Sequence, residues 1–296
     1  MSIKQFLSLV WLLLAAMVAP AQEQDEHNDS TVDVIGWFCT GDTLVYRFSS
    51  VRAEVAGTDT TVTESNGNKF RICVKDSTKK EYLMEYTPLE VSVSDSTSAQ
   101  GRIRLLSARS LLGTKVLFKT TGLGAFKEIV NWKEVYNAIL ANSMRVVDQI
   151  YLENPTLPSV KTKPEMLKEL RELCAQLYGS KEKLAEAFMA PLTLFSYHGK
   201  EFPVGENDAE SDEGRVHYDI TKGMLDGEDM SDDDEYQLYM KVDMPDSAGV
   251  KTTIYYSYRY FADGWPRDYL VTVSEENNGK ETITQMNAEW ESKSWK

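Results

Sequence analysis

Histidine and cysteine are scarce in this 296-residue chain, with three of each. No CxxC pair occurs, and Cys39, Cys73, Cys174, His27, His198 and His217 are not spaced as a zinc site requires. No serine stands in a Gly-x-Ser-x-Gly elbow, and Thr121-Gly-Leu-Gly124 lacks the lysine and the longer glycine spacing of a phosphate loop. Positive charge is also short, with 32 Lys and Arg against 46 Asp and Glu and a net charge of −14. A nucleic-acid surface has to be basic, so no nucleic-acid partner is expected. Nor does any apolar run approach the roughly 20 residues that a membrane-spanning helix needs.

What is present begins with an export pattern. Lys4, the apolar run from Phe6 to Val18 and then Ala19-Pro20-Ala21 follow the charged, hydrophobic and small-residue order of a secretory signal. Residues 1–21 are therefore expected to be a signal peptide cleaved after Ala21. Residues 22–30 then form a polar, flexible lead-in. With no cysteine near the cleavage site to accept a lipid, the mature protein should be soluble, without a membrane span, and periplasmic or secreted.

The middle, 131–192, carries helical spacing. Trp132, Val135, Tyr136, Ile139, Leu140, Met144, Val147, Ile150 and Tyr151 recur at three and four residues, which stacks them on one helix face. After Lys163, with Pro164 in the first turn where a missing N–H costs nothing, Met166, Leu167, Leu170, Leu173, Cys174 and Leu177 make a second stripe. Gly179 closes that helix, Ser180 caps a short third one, and Pro191 stops it.

On both sides the period is two. Leu44, Tyr46 and Phe48, then Phe70, Ile72 and Val74, alternate with polar neighbours, and Ser65-Asn-Gly-Asn68 between them predicts a tight hairpin turn. Further strands are expected at 82–86, 89–93, 102–106 and 115–120, after which residues 121–124 turn the chain into the helices. Beyond the helices, 192–197 reads as a strand. Residues 206–235 hold 13 acidic residues against Arg215 and Lys222 and read as a solvated acidic loop with one strand at 215–220. Three runs, 251–261, 265–273 and 281–290, joined at Asp263-Gly264 and Asn278-Gly279, make the clearest β signal.

The chemistry this supports is thin. Cys174 with His198 is the one Cys/His pair worth weighing for hydrolysis, but Cys174 falls on an apolar stripe where a thiolate is costly. Export permits a disulfide between Cys39 and Cys73, with three reduced thiols as the equal alternative. No catalytic residue, metal or cofactor is assigned.

Gly41-Asp-Thr-Leu-Val-Tyr-Arg-Phe48, Gly199-Lys-Glu-Phe-Pro-Val-Gly205 and Asp263-Gly-Trp-Pro266 resemble a family of exported envelope proteins of unknown function from Bacteroidota-type bacteria. The order of strands, helices and strands is also similar to the periplasmic lipoprotein carriers. That likeness implies an open, curved antiparallel sheet wrapped around helices and sheltering an acyl chain.

The resulting expectation is an α+β protein in which residues 31–296 form one domain. A large curved antiparallel sheet from the N- and C-terminal arms packs on the central helices. The function expected is non-enzymatic binding of a hydrophobic or small ligand between sheet and helices, with Phe118, Trp132, Tyr136, Tyr256 and Tyr258 lining the space. A surface module for an envelope protein partner, without a cavity, and a hydrolase are the alternatives.

Overall fold

The computed structural model describes residues 31–95, 98, 101, 105–106, 108–153, 161–188, 193–211, 214–222, 236–244 and 249–294. The N-terminal arm folds as a meander of β2 (Thr43–Ala56), β3 (Asp59–Ser77), β4 (Glu81–Val93), β5 (Val116–Thr121) and β6 (Phe126–Ile129). The C-terminal arm is a second meander of β8 (Gly205–Ser211), β9 (Gly214–Lys222), β10 (Tyr236–Asp243), β11 (Val250–Tyr260), β12 (Pro266–Asn277) and β13 (Lys280–Ser294). Each arm pairs strand by strand with its sequence neighbour, and one further pairing, β13 with β2, joins them. The result is a curved eleven-stranded antiparallel sheet in the order β6-β5-β4-β3-β2-β13-β12-β11-β10-β9-β8, open at both edges. A separate ribbon pairs β1 (Thr31–Asp33) with β7 (Glu201–Pro203).

Alternation decides the faces. Leu44, Tyr46 and Phe48 on β2, Phe70, Ile72 and Val74 on β3, and Ile254, Tyr256, Tyr258 and Tyr260 on β11 are all buried on one face. The residues between them carry charge on the other. There Glu291 pairs with Arg47 at 3.1 Å and Lys69 at 2.8 Å, and Arg259 pairs with Asp268 at 2.7 Å.

The helices are α1 (Trp132–Glu153), α2 (Lys163–Tyr178) and α3 (Lys181–Ala187). Their starts follow from local chemistry. Thr162 and Glu165 form a reciprocal capping box on α2, with proline in the first turn, and the Ser180 hydroxyl accepts from the Lys183 N–H at the start of α3. Val135 and Ile139 of α1 and Leu184 of α3 join the sheet's core. Phe188, the C-terminal cap of α3, packs edge-on to Tyr86 at 5.5 Å. α2 leans on α1 and α3 instead of the sheet. Cys174 is its one buried residue and Leu173 is half exposed, so only part of the expected second stripe is covered.

The inner face of the C-terminal arm has a different cover. The β1–β7 ribbon, the link from β1 to β2 and the segment between α3 and β7 supply Val32, Val34, Phe38, Phe195, Tyr197 and Phe202 to the core on this side.

Several local expectations are corrected. Asn66-Gly67 is not a turn: β3 runs straight through it, with Gly67 opposite Ser49 on one side and Ser92 on the other. The hairpin lies ten residues earlier at Gly57, whose φ of +65° supplies the required backbone, because Val51, Ala53 and Val55 extend β2 and are themselves paired with β13. Residues 82–86 and 89–93 form one strand, β4. It keeps Pro88 in its interior by a register shift at Phe70, since proline has no N–H for the ladder.

Residues 121–124 turn β5 into β6, not directly into a helix. Leu105 and Leu106 are helical, with 102–104 outside the described residues. Residues 193–195 form a single 3-10 turn, not a strand. The acidic stretch 206–235 holds paired strands through most of β8 and all of β9, because Val216 and Ile220 have a buried face to fill; 223–235 lies outside the described residues. The strand β10, with Tyr236, Leu238, Met240 and Val242 buried, had gone unrecognised.

The seam makes a prediction. Ala288 on β13 lies opposite Phe48 on β2 and is fully buried. An Ala288→Glu change should cost at least about 3 kcal/mol, as an unpaired buried carboxylate does. Urea unfolding followed by near-ultraviolet circular dichroism should still show one transition; two separate transitions would mean that the arms are independent bodies.

Candidate functional site

A group of buried polar side chains lies between β10–β12 and their cover. Strand alternation places Tyr256, Tyr258 and Tyr260 of β11 on the inner face, with Tyr236 of β10 stacked on Tyr260 at 5.0 Å and Tyr269 of β12 stacked on Tyr258 at 5.5 Å. From the cover, Tyr197 meets Tyr258 edge-on at 4.7 Å. Phe195 reaches Trp265 at 6.2 Å and, on the N-terminal arm, Phe118 at 5.8 Å. One aromatic layer therefore crosses from one arm to the other.

His198 is held at the centre of this layer. Its Nε2 lies 2.8 Å from the Gly264 carbonyl, and the rings of Phe38, Phe195 and Tyr260 surround it at 5.5–5.7 Å. Two glycines make room. A Cβ on Gly124 would meet the imidazole at 2.6 Å, and one on Gly264 would lie 1.9 Å from the Ile35 carbonyl oxygen. Burial pushes the His198 pKa down to about 4, so the ring is neutral and works as a hydrogen-bonding strut. Lys200, lying over the Tyr197 ring at 5.6 Å, is pushed down to about 8 by burial.

The hydroxyls of Tyr197, Tyr236 and Tyr260 and the indole N–H of Trp265 are buried with no hydrogen-bond partner among the described residues. Such groups cost free energy wherever they remain unmet. Burial raises the pKa of all three tyrosines, which keeps them protonated and able to donate. Chemically, the layer is apolar with a few neutral donors. It can grip a small molecule but offers no nucleophile and base in contact.

Of the residues expected to line a cavity, Phe118, Tyr256 and Tyr258 are fully buried on this face, Trp132 packs against the same core from α1, and Tyr136 lies half-buried on α1. Tyr197, His198, Tyr236, Tyr260 and Trp265 had not been singled out as lining residues. The alternation in 236–242 and the continuation of the 254–260 alternation to Tyr260 were the available signals.

Cys174 and His198 make no site. The thiol interacts with Ser143 under the helices, its pKa raised by burial, while His198 bonds to Gly264. Cys39 and Cys73 are free thiols in this structure. Cys73 sits between buried Ile72 and Val74 and therefore projects from the opposite face, while Cys39 is exposed in the turn before β2. Among the described residues no three His, Cys, Asp or Glu side chains group as metal ligands, and no helix is long and apolar enough to cross a membrane. A cleft of about 260 Å³ opens on β2–β4 and touches none of the five expected lining residues.

The class defined by fold and layer is an α+β protein with an open antiparallel sheet and a covered aromatic face. No family model matches the chain, and no curated protein matches it. Solved structures similar to it include lipovitellin, described for its lipid–protein interactions, at 12% identity and a TM-score of 0.48, covering 87% of this chain and 26% of that one. This chain thus spans about a quarter of the lipovitellin chain. A protein from Bacteroides fragilis described as exported, with a YmcC-like fold, is 9% identical with a TM-score of 0.22, covering 89% of this chain and 100% of its own. Ail, the attachment invasion locus protein of Yersinia pestis, is 5% identical with a TM-score of 0.17, covering 85% and 99%.

The His198 environment sets a pH dependence. A folded-state pKa of about 4 below the ordinary 6.5 means that the unfolded chain binds the proton first. The stability from neutral His198 is therefore whole above pH 6.5 and lost as pH falls toward 4, by about 3 kcal/mol at 1.36 kcal/mol per unit. His198→Gln, which keeps a donor toward Gly264, should lose that part of the acid sensitivity in urea titrations at pH 7 and pH 4. An unchanged difference between the two pH values would contradict it.

Proposed function

We propose that this is an exported envelope protein that acts by binding and not by catalysis. It holds a small, largely hydrophobic ligand against the inner face of the sheet. Phe118, Trp132, Tyr136, Tyr256 and Tyr258 lie on or beside the binding layer, and residues 31–296 work as one unit in the periplasm or outside the cell after cleavage near Ala21. The observation that carries the reading is the set of buried, unpartnered donors at Tyr197, Tyr236, Tyr260 and Trp265 within an otherwise apolar aromatic layer. Ligand sites have that composition: mostly apolar walls, with a few polar groups that orient the guest. Because rings pack on rings at 4.7–6.2 Å, entry requires the 193–203 cover to shift outward.

A second reading, a partner-binding surface, is favoured by the aromatic residues near the Asp263 turn. Trp37 is 66% exposed and its backbone N–H donates to the Asp263 carbonyl, while Trp290, 38% exposed, packs on Phe261 beside the Lys293–Asp263 ion pair. Nothing favours the hydrolase reading.

Mass spectrometry of solvent extracts from the purified mature protein should recover one small molecule in near-stoichiometric amount. Tyr260→Phe should weaken its retention about tenfold, a hydrogen bond's worth, while leaving the empty protein as stable or up to about 1 kcal/mol more stable. If no molecule is recovered and an added fatty acid fails to raise the thermal midpoint, the ligand reading falls and the partner surface survives.

A further inference from the structure

Tyr236 and Tyr260 stand directly opposite one another on β10 and β11, and both belong to the buried face of the sheet. Their rings stack 5.0 Å apart at 20°. Side chains on one face of a sheet project the same way, so rings this close and this parallel end in hydroxyls at a similar spacing. Neither hydroxyl has a hydrogen-bond partner among the described residues, and the two do not bond to each other. Two phenol O–H groups so placed converge on one point. A single oxygen between them, at the usual O–H···O distance of about 2.7 Å from each, can accept both.

The surroundings decide what that oxygen belongs to. Tyr236 and Tyr260 are 7% and 0% exposed, and the Trp265 indole N–H, which can only donate, is unmet in the same layer. Burial acts against charge of either sign here. It raises the pKa of both tyrosines, lowers that of His198 to about 4, and lowers that of Lys200, beside the Tyr197 ring, to about 8. Asp33 and Asp263 add a negative field at Tyr236, against which a carboxylate would have to lose its hydration. An alcohol would bring a proton of its own into a group of donors, and the unmet nitrogen of His198, Nδ1, is turned to the Phe195 carbonyl. A carbonyl oxygen has lone pairs for both hydroxyls, no proton and no charge.

We propose that the Tyr236–Tyr260 pair holds the carbonyl oxygen of a neutral, hydrophobic ketone or ester. This rests on the ligand reading above and adds the class of ligand, which is not a carboxylic acid. The aromatic rings grip the apolar body, and the paired hydroxyls fix its polar atom.

The test is calorimetric titration of the mature protein at neutral pH with three compounds that share one flat body. These are methyl naphthyl ketone, isopropenylnaphthalene, in which a methylene replaces the carbonyl oxygen, and naphthoate. The ketone should bind at least about tenfold more tightly than either of the others, as two hydrogen bonds to otherwise unmet donors require. Tyr236→Phe and Tyr260→Phe keep the rings, and each should remove about three- to tenfold of the ketone's affinity while leaving that of isopropenylnaphthalene within about twofold. If one variant fails to fold by circular dichroism, the other decides. Should isopropenylnaphthalene bind as tightly as the ketone, naphthoate bind more tightly, or the folded variants keep the ketone's advantage, the carbonyl proposal is overturned and the ligand reading stands. If none of the three binds, the molecule recovered by solvent extraction decides. A neutral carbonyl compound supports the proposal, a carboxylic acid or a molecule without a carbonyl overturns it alone, and the recovery of no molecule overturns both.

Discussion

The pairing of β13 with β2 is the constraint from which the rest of the molecule follows. Each arm is a meander of adjacent hairpins, and a meander alone presents one apolar face that must be covered. Joining the last strand of the chain to the first strand of the main sheet converts two such faces into one, from β6 to β8. The pairing runs from Thr43 to Val55 along β2, so the contact most distant in sequence is also one of the longest ladders. Its loop-closure cost is carried by the rows of side chains on either side, with Phe48 and Ala288 meeting at the seam.

A continuous inner face then needs more cover than the helices supply. α1 and α3 cover the β4–β6 end, and α2 adds a second layer over them, reaching the core with Tyr178 at its end. The remaining face is closed by short, irregular pieces: the β1–β7 ribbon, the 3-10 turn at Thr193–Phe195 and the His198 strut. Irregular cover has fewer backbone bonds holding it than a helix has, so the polar groups beneath it depend on side chains for partners. Four unpartnered donors lie in this part of the core, at Tyr197, Tyr236, Tyr260 and Trp265, and two more, the Thr87 and Thr114 hydroxyls, lie in the N-terminal arm. Groups left unmet in this way cost stability for as long as they stay unmet.

Much of the local structure was legible because its causes are local. Thr162 with Glu165, Ser180 with Lys183, and the turns at Gly264 and Gly279 act over a few residues, and the sequence reading found the starts of α2 and α3 and the β11–β12 and β12–β13 hairpins. The failures came where distant strands overrode a local preference. Asn66-Gly67 is a good turn in isolation, but between β2 and β4 the ladder bonds on both sides outweigh it. The acidic composition of 206–235 concealed β8, while β9 was legible at 215–220 because Val216 and Ile220 face the core. Phe118, Tyr256 and Tyr258 were found on the buried layer because period-two alternation marks the core face. Their neighbours from the cover were missed because no periodicity relates 193–203 to 254–260.

By itself, then, the sequence determined the periods, the caps and the sign of the charge, and with them an α+β chain of two β-patterned arms around helices. Those properties are set by side-chain spacing and backbone sterics over a few residues. Which strands meet at the seam, which segment closes the aromatic layer, and that Asn66-Gly67 lies within a strand instead of a turn were decided only by the tertiary structure. Each depends on burial and ladder bonds between residues far apart in the chain, whose free energy exceeds the local preferences that a short stretch can express.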